Sequence, residues 1–104
     1  MTTVQQRQPQ VGNTSRWGVI DHVTVIADGI VFASTPGHGG FWVRADLLER
    51  IPLEQRAYAQ MWSGSQQWYE EDCCALAVIA AFPEHFPQHD AGECGRQLAY
   101  WMKK

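Results

Sequence analysis

Between residues 17 and 34 the chain is rich in Val and Ile and alternates with a period of two. Val23, Val25 and Ala27 fall on one side of an extended backbone and His22, Thr24 and Ile26 on the other, the pattern of a strand with one apolar face. Asp28-Gly29 separates this run from a second at 30–34, which predicts a hairpin pairing residues 19–27 with 30–34. Phe41, Trp42 and Val43 read as a third short strand, so the first half of the chain predicts an antiparallel meander. Between the second and third strands lies Thr35-Pro36-Gly37-His38-Gly39-Gly40. There Pro fixes one φ, and three glycines permit left-handed angles.

The second half changes to helical spacing. Asp46 can cap a turn through Arg50, and Pro52 opens a segment reaching Trp62. Ser63-Gly64-Ser65 interrupts the chain before residues 69–82, which predict the strongest helix, ended by Pro83. Residues 73–82 are apolar without a break, so this helix is expected to be buried around most of its circumference and to lie across the sheet. A last helix, 90–104, is predicted with Asp90 as its cap and with Leu98, Trp101 and Met102 turned to the core. The predicted fold class is α+β: a three-stranded antiparallel β-meander packed against two main C-terminal helices. Residues 1–16, with Gln5, Gln6, Gln8 and Gln10 and broken by Pro9, Gly12 and Asn13, predict a flexible arm before one domain at 17–104.

Composition narrows the class of function. A chain of 104 residues that is 45% hydrophobic and 18% charged is an ordinary globular domain. Eight Lys and Arg against eleven Asp and Glu leave a net charge of −3, so the basic footprint of a direct nucleic-acid binder is missing. The carboxylates are also too sparse to imitate a row of phosphates. The amino-terminal stretch has no long apolar run, which predicts no membrane partner and a cytoplasmic protein. Three cysteines, two of them adjacent at Cys73 and Cys74, suit reduced, packing thiols better than a disulfide framework.

Four places can carry chemistry. His38, flanked by glycines, offers an imidazole and backbone N–H groups, enough to hold an anion or act as a base; a tight connecting loop accounts for the same residues. Glu70, Glu71 and Asp72 follow Trp68 and Tyr69 at the predicted helix start, where the macrodipole favours negative charge. If one of these acids turns toward His38, the pair becomes a general acid/base couple or a divalent-metal ligand set. His85, His89 and Cys94 have a spacing that zinc sites can use, but Pro83 and Pro87 flank His85 and no CxxC accompanies them, so no metal site is expected there. A reactive Cys73 would need a lowered pKa, which three neighbouring carboxylates oppose. Finally, five tryptophans are many for this length. Trp62 and Trp68, bracketing Ser63-Gly64-Ser65, are the two expected at an interface.

The order Trp17-Gly18, Asp28-Gly29-Ile30, the HGG element at His38-Gly39-Gly40, the WYEED element at 68–72 and Phe82-Pro83 with Phe86 resembles an uncharacterised domain of phage and plasmid proteins of proteobacteria. That resemblance implies a mobile-element setting and transfers no catalytic residues. Small free-standing proteins in that setting often disarm host defence, as anti-CRISPR proteins do. The expected function is therefore an inhibitor that binds and blocks a bacterial defence protein such as a CRISPR-Cas subunit, without a cofactor, through Trp62, Trp68, Glu70, Glu71 and Asp72. The alternatives are a small hydrolase or metal-dependent enzyme using His38 with Glu70, Glu71 or Asp72, and a scaffolding domain that forms homodimers.

Overall fold

A computed structural model of the chain describes residues 6–103. The strands are β1 (Thr14–Ser15), β2 (Gly18–Val19), β3 (His22–Ala27), β4 (Ile30–Ser34), β5 (Gly39–Val43) and β6 (Trp68–Glu70). The helices are α1 (Leu53–Ser63), α2 (Ala75–Ala81) and α3 (Ala91–Met102), with 3-10 turns at Ala45–Arg50 and Pro83–His85. β1 and β2 form a small hairpin, and the other four strands form one antiparallel sheet in the order β3-β4-β5-β6. The molecule is thus α+β, with the expected meander extended by a fourth strand.

That fourth strand corrects the predicted 69–82 helix. Tyr69 pairs with Phe41 and Trp68 with Trp42 across β5 and β6, and Tyr69 is wholly buried. Two consecutive aromatics fill a pleated surface better than they fill a first helical turn. The chain then turns through 71–74, and the helix starts only at Ala75. The carboxylates of Glu70, Glu71 and Asp72 therefore do not open a helix.

Alternation divides the sheet residues between two layers. Ile30, Phe41, Val43 and Tyr69 join Cys74, Val78, Phe82 and Leu98 in the main core. Their neighbours Val31, Ala33 and Trp42, with Ile20, are buried outside that core. On this second face the ring of Trp17 lies over Gly40. Both faces of β5 are covered, so the strand is buried from end to end.

Residues 1–5 of the predicted arm lie outside the described residues. Further along, Pro9 is buried, Gly12 N–H donates to the Ile20 carbonyl, and Ile20 N–H donates to the Asn13 carbonyl. Thr14 and Ser15 pair with Val19 and Gly18.

The apolar face expected for Val23, Val25 and Ala27 is split. Val25 is exposed, whereas Ile26 and Ala27 both pack against the core. The cause is a register shift between Val25 and Ala27, just before a turn in which only Gly29 has a positive φ, 87°. A bulge there adds the twist that a turn with two left-handed residues would have supplied.

Asp46, expected as a cap, makes no cap hydrogen bond. It shares Arg44 with Asp28 instead, which ties the β3–β4 turn to the 3-10 turn. Asp90 does cap α3, accepting from Glu93 N–H at 3.0 Å. In α3, Leu98 is buried and Met102 packs against the core, but Trp101 is 41% exposed. The buried stripe runs through residues 94, 98 and 102, and Trp101 lies about 100° round the helix from Met102. No helix among the described residues is long and apolar enough to cross a membrane.

Arg50 joins the first 3-10 turn to the end of α2. Its guanidinium donates to both Glu84 carboxylate oxygens and to the Ala81 carbonyl, and it lies 4.4 Å over the Phe82 ring. The Arg50 hydrogen bonds hold the Glu84 carboxyl down at about 2. A depressed carboxylate stabilises the fold above its unfolded pKa, near 4.5, and that contribution disappears as pH falls toward about 2. In an NMR titration of Arg50→Gln, the Glu84 midpoint is expected to return to the ordinary carboxylate range. An unchanged midpoint would show that Arg50 is not the cause.

Candidate functional site

The site arises from the register of β5 against β6. Gly40 lies opposite Glu70, and Glu71 N–H donates to the Gly39 carbonyl, extending the pairing one step. Continued once more, the antiparallel order sets residue 72 beside residue 38, on the same face as residues 40 and 70. The loop before β5 is held by Thr35, whose N–H donates to the His38 carbonyl at 2.7 Å and whose hydroxyl oxygen lies 3.2 Å from His38 N.

His38, Glu70 and Asp72 consequently converge. His38 Nδ1 is 3.9 Å from Glu70 Oε1. One ligand atom from each of the three residues lies within 4.8 Å of the others. The Glu70 side chain is 16% exposed and that of His38 is 51% exposed. The group is open on the imidazole side and sheltered on the glutamate side.

The glycines of this loop act differently from expectation. Gly37, Gly39 and Gly40 all have negative or extended φ among the described residues. Gly39 and Gly40 belong to β5, and His38 N–H donates to the Thr35 hydroxyl, so the loop does not gather an anion cradle. Gly40 is required by close approach: a Cβ there would stand 2.6 Å from Trp17 Cη2 and 2.6 Å from the Tyr69 carbonyl oxygen.

Beside the cluster opens a cleft of about 380 Å³ lined by Tyr58, Trp62, Glu70, Asp72, Cys73 and Trp101. Tyr58 and Trp62 stand one turn apart on α1 with their rings edge to face at 6.3 Å. Trp62 is 51% exposed. Aromatic walls and two carboxylates give a cavity suited to an organic cation, which gains from ring faces and from ion pairing together.

Of the residues expected to bind a partner, Trp62, Glu70 and Asp72 share this cleft. Trp68 does not line it; its ring packs edge to face against Trp17 at 5.5 Å. Nor does Glu71, whose Oε2 stands near Gly39, 3.1 Å from where a Cβ would be. Tyr58, Cys73 and Trp101 line the cleft without having been expected there. Tyr58 with Trp62 is detectable in the sequence as an aromatic pair at i and i+4 on one helix face.

Cys73 and Cys74 lie outside the helix that the sequence pattern assigns to them. Both precede α2, with their sulfurs 3.2 Å apart. Cys73, Cys74 and Cys94 are free thiols. Burial pushes the Cys74 thiol well above its ordinary range, and burial raises Cys94 too, so neither is an activated nucleophile. Among the described residues, His38, Glu70 and Asp72 form the cluster of metal-ligating groups, and His85, His89 and Cys94 are not gathered into one.

The fold and the cleft define a small α+β domain with an acidic, aromatic-walled cavity beside its edge strand. The chain belongs to a family described as a domain of unknown function (DUF7007), whose pattern matches residues 10–104. No curated protein and no solved structure matches it significantly.

Proposed function

We propose that this protein is a binding module whose cleft receives a lysine or arginine side chain from a partner protein. The observation that carries this reading is the convergence of Trp62, Trp101 and Tyr58 with Glu70 and Asp72 around one cavity. A guanidinium or ammonium placed there stacks on a ring while pairing with a carboxylate, worth about 0.5–2 kcal/mol for the aromatic part alone. Met61, next to Trp62 in α1, and Tyr100, next to Trp101 in α3, are exposed apolar residues as well. Charged and aromatic groups in that arrangement select basic partners and fix their register.

In the mobile-element setting that the resemblance to a phage and plasmid domain implies, the proposed partner is a defence protein whose basic surface normally carries nucleic acid. Inhibition is then steric, because the domain occupies residues that the nucleic acid needs. A CRISPR-Cas subunit is the expected example.

The test is capture of a partner by the tagged full chain from a lysate containing several defence systems, followed by titration of the purified pair. Trp62→Ala and Glu70→Lys are each expected to weaken the complex at least about tenfold, the scale of a contact near the centre of an interface. Glu93→Lys, on the exposed side of α3, is expected to leave it unchanged. A complex indifferent to both cleft variants, or no specific complex at all, overturns the reading.

A further inference from the structure

The antiparallel register of β5 and β6 brings together a ligand set that lies at one end of the cleft and has its own chemistry. We propose that His38, Glu70 and Asp72 bind one divalent transition-metal ion, with zinc the favoured occupant. One imidazole nitrogen and two carboxylate oxygens, each from a different residue, make the mixed nitrogen and oxygen donor set that zinc accepts. Harder ions such as magnesium prefer oxygen alone and retain most of their water.

Three observations carry the assignment. The donor atoms already lie within 4.8 Å of one another. Ligands about 2.0–2.2 Å from a shared zinc stand roughly 3.0–3.5 Å apart, so small rotations, chiefly of the exposed His38 and Asp72 side chains, complete the set. The three residues come from separate places, the loop before β5, the end of β6 and the turn after it, so this is not a run of solvated acids along one helix. Gly40 also lies opposite Glu70 and offers no side chain to compete for that carboxylate, while Trp17 packs over the glycine and closes the floor.

The His38 backbone is fixed by hydrogen bonds to the N–H and the hydroxyl of Thr35, which limits the positions its ring can take. Three protein ligands leave at least one coordination position toward solvent, where a water or a partner's side chain can sit. Glu70 and Asp72 also belong to the proposed partner cleft, so a bound cation and a basic side chain compete for the same carboxylates. The inference itself does not depend on that partner, because it concerns the chain alone.

Zinc chloride is titrated into the full chain by calorimetry and, independently, against a chromogenic zinc chelator. One saturable zinc per chain is expected, with affinity falling at least about tenfold in both His38→Ala and Asp72→Asn, a loss that removal of even a supporting group can cause in a zinc site. A combined His85→Gln, His89→Gln variant is expected to bind as the parent does. Near-ultraviolet circular dichroism checks that each variant keeps its packing, and zinc-induced shifts of the His38 ring in NMR spectra of the parent give a readout that needs no variant. The assignment is overturned by an absence of saturable binding, by binding that survives His38→Ala, or by binding that depends on His85 and His89. None of these outcomes bears on the partner test, which is run with chelator present.

Discussion

Gly40→Ala is expected to lower the stability of the domain by about 2–3 kcal/mol, with the denaturant slope unchanged. A single methyl group rarely has such an effect on a strand, where alanine normally loses less chain entropy than glycine on folding. Here the added carbon would stand 2.6 Å from a ring atom of Trp17 and 2.6 Å from the Tyr69 carbonyl oxygen. The ring can move, but the carbonyl is part of the β6 backbone facing β5. Relief must therefore come from parting the two strands, and overpacking that forces backbone shifts costs about 1–3 kcal/mol. Gly95→Ala supplies the contrast, since that glycine lies within α3 and a methyl group added to it would meet nothing within 4 Å. It should gain about 0.5–1 kcal/mol from helix propensity. Urea denaturation of both variants gives the comparison, and equal shifts of the same sign would refute the steric account.

Leu98→Ala is expected to destabilise the fold by about 3 kcal/mol, while Trp101→Ala, three residues away on the same helix, should cost less than about 1 kcal/mol. Leu98 is 1% exposed and belongs to the main core, so its truncation leaves a cavity that neighbours on α2 fill only in part. Trp101 buries less of its area and stands at the rim of the cleft. Its loss should instead show in binding, because one aromatic wall is gone. Thermal and chemical denaturation of the two variants decide the matter. A larger loss for Trp101→Ala would mean that α3 is rotated from the orientation described.

These two expectations also show where the sequence is legible. The Asp28-Gly29 turn, the Pro52 helix start and the Asp90 cap can be read because each is decided by a few adjacent residues. β6 cannot, because Trp68-Tyr69-Glu70 is only three residues long and is followed by acids that also suit a helix start. What makes it a strand is a partner on β5 that lies far back in the chain. The same reason hides the full cleft. Trp62, Glu70 and Asp72 can be chosen by residue type, but the meeting of His38 with Asp72 follows from the Gly40–Glu70 register, which is a long-range fact. Trp101 is misplaced by the sequence pattern because residues three and four beyond Leu98 are both apolar, and local pattern does not decide which one faces inward.

The placement of β6 has a kinetic consequence. Between β5 and β6 the chain makes the Ala45–Arg50 turn and all of α1, so the edge strand docks only after a long loop has closed. Loop closure of this kind has an entropic cost that is recovered only when the distant strand finally pairs. Amide hydrogens of Tyr69 and Glu71 therefore belong to the part of the sheet that opens first, and exchange there should outpace exchange in β4. Any ligand that grips His38 and Asp72 together fastens β6 to β5 at the end of the pair away from that loop, and it would slow the release of the edge strand without touching the rest of the sheet.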